Sequence, residues 1–171
     1  NRVSLENEKW SDNIEIKQTL DTLTSYPNEF WKYPVVIYYL HYHYKDTFED
    51  DFLIFLKRLL AVLSAKYIIT PTINAVKTGI LNLNAEIINS AQPKFNFGQI
   101  DEKELSDKIK TAHRNTVRMI LKIIAYQHQS ELLPEKWEIE HILPQKWQSS
   151  YFPTNSDSEV SPLVYDPISI S

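Results

Sequence analysis

The sequence predicts a mainly α-helical protein, a helical body over residues 1–129 followed by a short β-containing element over residues 130–171. Three observations predict it. Apolar residues recur at helical spacing as far as about Gln129. Only two glycines, Gly79 and Gly98, occur in a chain of 171 residues, which suits helices joined by Pro- and Asn-based turns. Beyond Glu131 the helical pattern gives way to "WEIEHIL", which alternates at period two and is closed by Pro144.

The elements follow in order. Over residues 11–26, Ile14, Ile16, Leu20 and Leu23 mark a first helix that Pro27 ends. The segment "NEFWKYPVVIYYLHYHY" is aromatic on several sides and reads as buried; Pro34 either opens a helix at Val35 or kinks one already running. Residues 48–69 form a third helix, which stops where Pro71 restricts Thr70. Its run "FLIFLKRLLAVLSA" is too short to span a bilayer and is interrupted by Lys57 and Arg58, so it reads as a core helix. A fourth helix over residues 73–91 carries Ile73, Val76, Ile80, Leu83 and Ile87 on one face. After the loop "QPKFNFGQI", Asp101 and Glu104 give an Asp-x-x-Glu start signal. One long amphipathic helix is expected from there to about Gln129, with Leu105, Ile109, Ala112, Met119, Ile120 and Ile124 along it. The tail after Ser150, rich in Ser, Pro and Asp, reads as loop.

Composition excludes several classes of function. With 43% hydrophobic residues the chain supports one domain with a real core. The absence of cysteine removes disulfides, thiolate zinc sites and cysteine nucleophiles, so a metal would have to be held by His, Asp, Glu or Asn. Two glycines cannot build a phosphate loop or a dinucleotide fingerprint. The start "NRVSLENEKW" has neither a basic nor an apolar signal region, which gives a cytoplasmic expectation with no membrane partner. A net charge of −4 argues against a stand-alone nucleic-acid binder, so a nucleic-acid role would need a local basic patch or a partner domain.

Among the five histidines, four have weak claims to chemistry. His41 and His43, two apart, fall on different faces of a helix and make poor co-ligands; aromatic packing or a satisfied hydrogen bond is the default. His113 and His128 read as surface or capping residues, and an imidazolium at position 128 would suit a helix C-terminus. His141 is different. In "WEIEHILPQKW", read as a strand, Trp137, Ile139, His141 and Leu143 share one face while Glu138, Glu140 and Ile142 share the other. His141 is then either a core histidine with a hydrogen-bond partner or a group placed for chemistry.

An acid directly before a histidine, followed by two apolar residues and a proline, resembles the first motif of HNH nucleases of the His-Me finger group. Those residue types suit phosphodiester cleavage. A neutral histidine, with an ordinary pKa of about 6.5, can take a proton from water near neutral pH. A carboxylate beside it can hold a hard divalent cation. The full string "IEHILPQ", with the upstream text "FLKRLLAVLSAKYIITPTINAVKTGILNLNAEI" and "RNTVRMILKIIA", resembles the C-terminal domain of GmrSD-type modification-dependent restriction endonucleases. That resemblance implies a partial ββα-metal element, with His141 as general base and Glu140 at the metal site. It also implies Mg²⁺ or Mn²⁺ as cofactor and DNA, modified or foreign, as substrate. An N-terminal nucleotide-hydrolysing domain or subunit, absent from this chain, would be a partner in phage defence. Family members continue with a Gly-Asn-Leu-like segment, and no glycine follows Gly98 here. The alternative expectation is therefore an inactive helical interaction or regulatory module that retains an HNH-like strand.

Overall fold

The structure is a computed structural model and describes residues 9–138, apart from the side chains of Lys9, Arg114 and Asn115. Within it a helical unit runs as far as Trp137. The segment bearing Glu140 and His141 lies outside the described residues, and with it all but the first two positions of the expected strand. Among the described residues there is no strand: a short 3-10 turn, Lys9–Asp12, precedes six α-helices.

Helix α1, Ile14–Thr24, begins where Asn13 adopts an extended conformation and its side-chain oxygen accepts the backbone N–H groups of Glu15 and Ile16. Such a cap is worth about 1 kcal/mol. The Asn13 amide also donates to Glu49 on α3 at 2.8 Å, so one side chain starts one helix and ties it to another. Helix α2, Lys32–Tyr42, settles the role of Pro34. The proline sits in the first turn, where a backbone N–H would have no partner inside the helix, so it neither starts the helix nor kinks it.

Helix α3, Phe48–Ile69, is the centre of the fold and packs against each of the other five helices. Three acids, Glu49, Asp50 and Asp51, occupy its first turn and Lys66 its last, as the helix dipole favours. It ends at Thr70, held extended at φ −131° by the following Pro71. Phe52, Phe55, Leu56, Leu59 and Leu63 are fully buried along it, each worth about 1.5–3 kcal/mol of transfer free energy. Helix α4, Asn74–Asn89, buries Val76, Ile80, Leu83 and Ile87, four of the five residues its spacing placed on one face. Tyr38 and Tyr42 of α2 reach its C-terminal end, donating to the carbonyls of Ala91 at 2.9 Å and Ile87 at 2.5 Å. The Tyr38 ring stacks on Phe55 with centroids 4.2 Å apart.

The loop after α4 is a strap of aromatic side chains. Phe95 lies against Phe55 and under the Arg58 guanidinium, while Phe97 lies against Gly79. Both glycines have a definite task. A Cβ on Gly79 would strike the Phe97 ring, and Gly98 takes a φ of +74° where the strap turns back toward α3. Lys66 fixes that turn by donating to the Gln99 carbonyl at 2.7 Å.

The single long helix expected from Asp101 to Gln129 is two helices, α5, Glu102–Lys110, and α6, Arg114–His128. Its start is as expected, since the Asp101 carboxylate accepts from Glu104 N–H at 2.9 Å. The break comes at Thr111, whose φ of −119° and ψ of 36° leave the helical region. The backbone N–H and hydroxyl of Thr116 then both donate to the His113 carbonyl, at 2.7 and 2.6 Å, and restart the chain as α6. Packing explains the break. Helix α5 meets α3 and buries no residue fully, whereas α6 lies against both α1 and α3 and sends Met119 into the core. One straight rod could not serve both.

Candidate functional site: the platform before the Glu-His motif

Glu140 and His141 follow a stretch of chain that the helical unit holds at four points. The first two lie just after α6, where the buried Gln18 of α1 donates its amide to the carbonyls of Gln129 at 3.1 Å and Glu131 at 3.4 Å. At the third, Leu133 N–H donates to the Tyr126 hydroxyl at 3.1 Å. At the fourth, Arg118 of α6 donates to the Trp137 carbonyl at 3.1 Å and lies 4.5 Å from the centre of the Trp137 ring. A non-repetitive segment has no ladder to satisfy its backbone, so side chains from α1 and α6 do it instead.

Beneath those anchors is a partly buried polar triad that joins the same two helices. Lys122 stands on the core face of α6, one turn from Met119, with its side chain 8% exposed. Its ammonium donates to the Asp21 backbone carbonyl at 3.0 Å and pairs with the Asp21 carboxylate at 2.8 Å. The Tyr126 hydroxyl donates to the same carboxylate at 2.5 Å while accepting from Leu133. Burial, with the hydrogen bond to Asp21 behind it, pushes the Tyr126 hydroxyl up to about 12, so it stays a donor across the physiological range. The Lys122 ammonium and the Tyr126 hydroxyl both donate to Asp21. The chemistry of the triad is that of a clamp between α1, α6 and the segment that follows α6.

The remaining histidines are placed by the fold. His41 is exposed in the last turn of α2. His43 caps that helix; its ring stacks on Tyr39 at 4.8 Å, and Nδ1 lies 2.9 Å from the Tyr39 carbonyl. That is the satisfied hydrogen bond expected of it. His113 sits at the break between α5 and α6, where its carbonyl is the acceptor for Thr116, and His128 is the exposed last residue of α6. Among the described residues no three His, Asp or Glu side chains are grouped so as to hold a metal ion. A hollow of about 310 Å³ between α3 and α5 is lined by Lys66, Asp101 and Glu104, but the Asp101 carboxylate already caps α5 and Lys66 is bound to Gln99.

Residues Asp21, Arg118, Lys122 and Tyr126 were not singled out from sequence. One signal was there: Lys122 interrupts the apolar face that Met119 and Ile123 define on α6. Among the described residues no helix is long and apolar enough to cross a membrane. Comparison with protein-family models, with curated proteins and with solved structures finds no match to this chain.

Proposed function

We propose that this chain is a DNA endonuclease domain of the HNH, His-Me finger type, hydrolysing phosphodiester bonds as part of a cytoplasmic phage-defence restriction system. The observation that carries the reading is the string "IEHILPQ", in which Glu140 and His141 precede an Ile-Leu-Pro stop. His141, as the neutral imidazole, takes a proton from the attacking water; the new P–O bond forms as the P–O3′ bond breaks, and the leaving 3′ oxygen takes its proton from a second, solvent water. Glu140 is the oxygen donor for a divalent ion, and a chain without cysteine suits a hard cation, Mg²⁺ or Mn²⁺, rather than zinc. When bound, such an ion stabilises charge developing on the phosphoryl and leaving oxygens. A net charge of −4 fits a domain that acts beside a DNA-reading, nucleotide-hydrolysing partner rather than alone.

A second reading is an inactive helical interaction or regulatory module that keeps the HNH-like strand; residues 145–171 contain no glycine, so they do not themselves supply a Gly-Asn-Leu-like segment. One pair of measurements separates the two. With modified and unmodified plasmid DNA and Mg²⁺ or Mn²⁺, His141→Ala should lower cleavage by about 10²–10⁴-fold while the melting temperature holds. No metal-dependent cleavage by the parent protein, or a destabilised variant with normal cleavage per folded molecule, would overturn the assignment.

A further inference from the structure

No helix-breaking residue stands where α5 ends and α6 begins. Residues 111–113 are Thr, Ala and His, with neither proline nor glycine, and the apolar stripe of α6 continues back through Ala112 to Ile109 and Leu105. Thr111 nevertheless leaves the helical region, because in one chain α5 has to meet α3 while α6 lies against both α1 and α3. The bend comes from packing, not from local sequence. Straightening it would pair the roughly four N–H groups that open α6 with the roughly four carbonyls that close α5.

We infer that residues 111–113 are a hinge, and that two copies of the chain exchange α6 by straightening it. A single rod cannot fill both places in one chain. Across two chains it can, lying on α3 of its own copy as α5 and entering the α1–α3 face of the other copy as α6. The exchange calls for no new complementary surface, since each α6 rebuilds in the second copy the contacts that close the single chain. Those contacts are specific: Met119 fills the core, and Lys122 and Tyr126 donate to Asp21. What separates the two forms is therefore the hinge itself, bent in one and helical in the other.

Refolding the 171-residue chain from urea at low and at high micromolar concentration, with the products resolved by size-exclusion chromatography and light scattering, tests the inference. High concentration should yield a dimer beside the monomer, and dilution should release it slowly, because α6 must leave a core to part the chains. Arg114 is the first residue of α6, where proline suits a helix start but would interrupt a continuous helix. Arg114→Pro should therefore lower the dimer yield by about tenfold or more while the monomer keeps its circular dichroism. Thr111→Ala, which favours helix at the hinge in both chains, should raise it about five- to tenfold. Charge reversal identifies the element exchanged. Asp21→Lys and Lys122→Glu each set like charges together in the single chain, whereas a dimer of one variant with the other has an opposite pair in both of its units. Refolding the two variants together should give the mixed dimer in preference to either like pair. A chain that stays monomeric at every concentration even with Thr111→Ala, a dimer indifferent to Arg114→Pro, or the absence of any preference for the mixed dimer would overturn the inference.

Discussion

Gly79 has no side chain because the Phe97 ring occupies the place one would take. On helix propensity alone, Gly79→Ala should stabilise α4 by about 1 kcal/mol. The contact decides otherwise, since Phe97 would have to leave its place in the strap, and overpacking of that kind costs about 1–3 kcal/mol. Urea unfolding should show Gly79→Ala less stable than the parent, and less so in a Phe97→Ala background, where the obstructing ring is gone. Equal effects in the two backgrounds would show that the ring is not the cause. The same scale governs the clamp before the motif. Tyr126→Phe removes a donor to Asp21 and an acceptor for Leu133 N–H, and should cost about 1–2 kcal/mol in the same assay. An unchanged midpoint would mean that solvent replaces both bonds. The string around His141 suggests chemistry because an acid, an imidazole and a stopping proline stand together in sequence, but it lies outside the described residues. The clamp was not readable, since Asp21 and Lys122 are 101 positions apart and no local pattern couples them.

At the scale of elements, the boundaries that sequence located well are those set by local backbone chemistry. Pro71 stops α3 at Thr70, and the Asp101 carboxylate starts α5, whatever the rest of the molecule does. The break between α5 and α6 was illegible for the opposite reason. Residues 105–124 keep an apolar stripe through Ala112, so periodicity reports one helix, and only packing against α3 and α1 forces two. A consequence for dynamics follows, because α5 is nine residues long and buries none of them fully, while α3 buries eight. Helix α5 should therefore open locally, its amides exchanging with solvent well before those of α3. Asp101→Ala should speed exchange in α5 further, by roughly five-fold for a cap worth about 1 kcal/mol, and leave α3 unchanged. Exchange that accelerates equally in both helices would mean that α5 unfolds only with the whole domain.

For the whole helical unit, the composition that builds the core also sets its response to alkali. Tyr26, Tyr38, Tyr42, Tyr67 and Tyr126 all have hydroxyls whose ionisation is raised from the ordinary value of 10.0, in each case chiefly because burial penalises the phenolate. Tyr67 adds to the effect on Tyr26, and Asp51 and Tyr42 to that on Tyr38. The sign is the same for all five. Below pH 10 both the folded and the unfolded chain keep these protons, and the stability is fully present. Above it the unfolded chain ionises more readily than the folded one, so the unfolded state gains and stability falls as pH rises toward about 12, the value for Tyr126. Several groups acting together make the fall steep, because the slope grows with the number of protons that separate the two states. Five of the ten tyrosines in the chain take part, so alkaline unfolding should be cooperative. Following phenolate absorbance and far-UV circular dichroism together should show these tyrosines ionising only as helix is lost. Tyrosines that titrate fully near pH 10 with the helical signal intact would contradict the buried, hydrogen-bonded positions of Tyr38 and Tyr42 between α2 and α4.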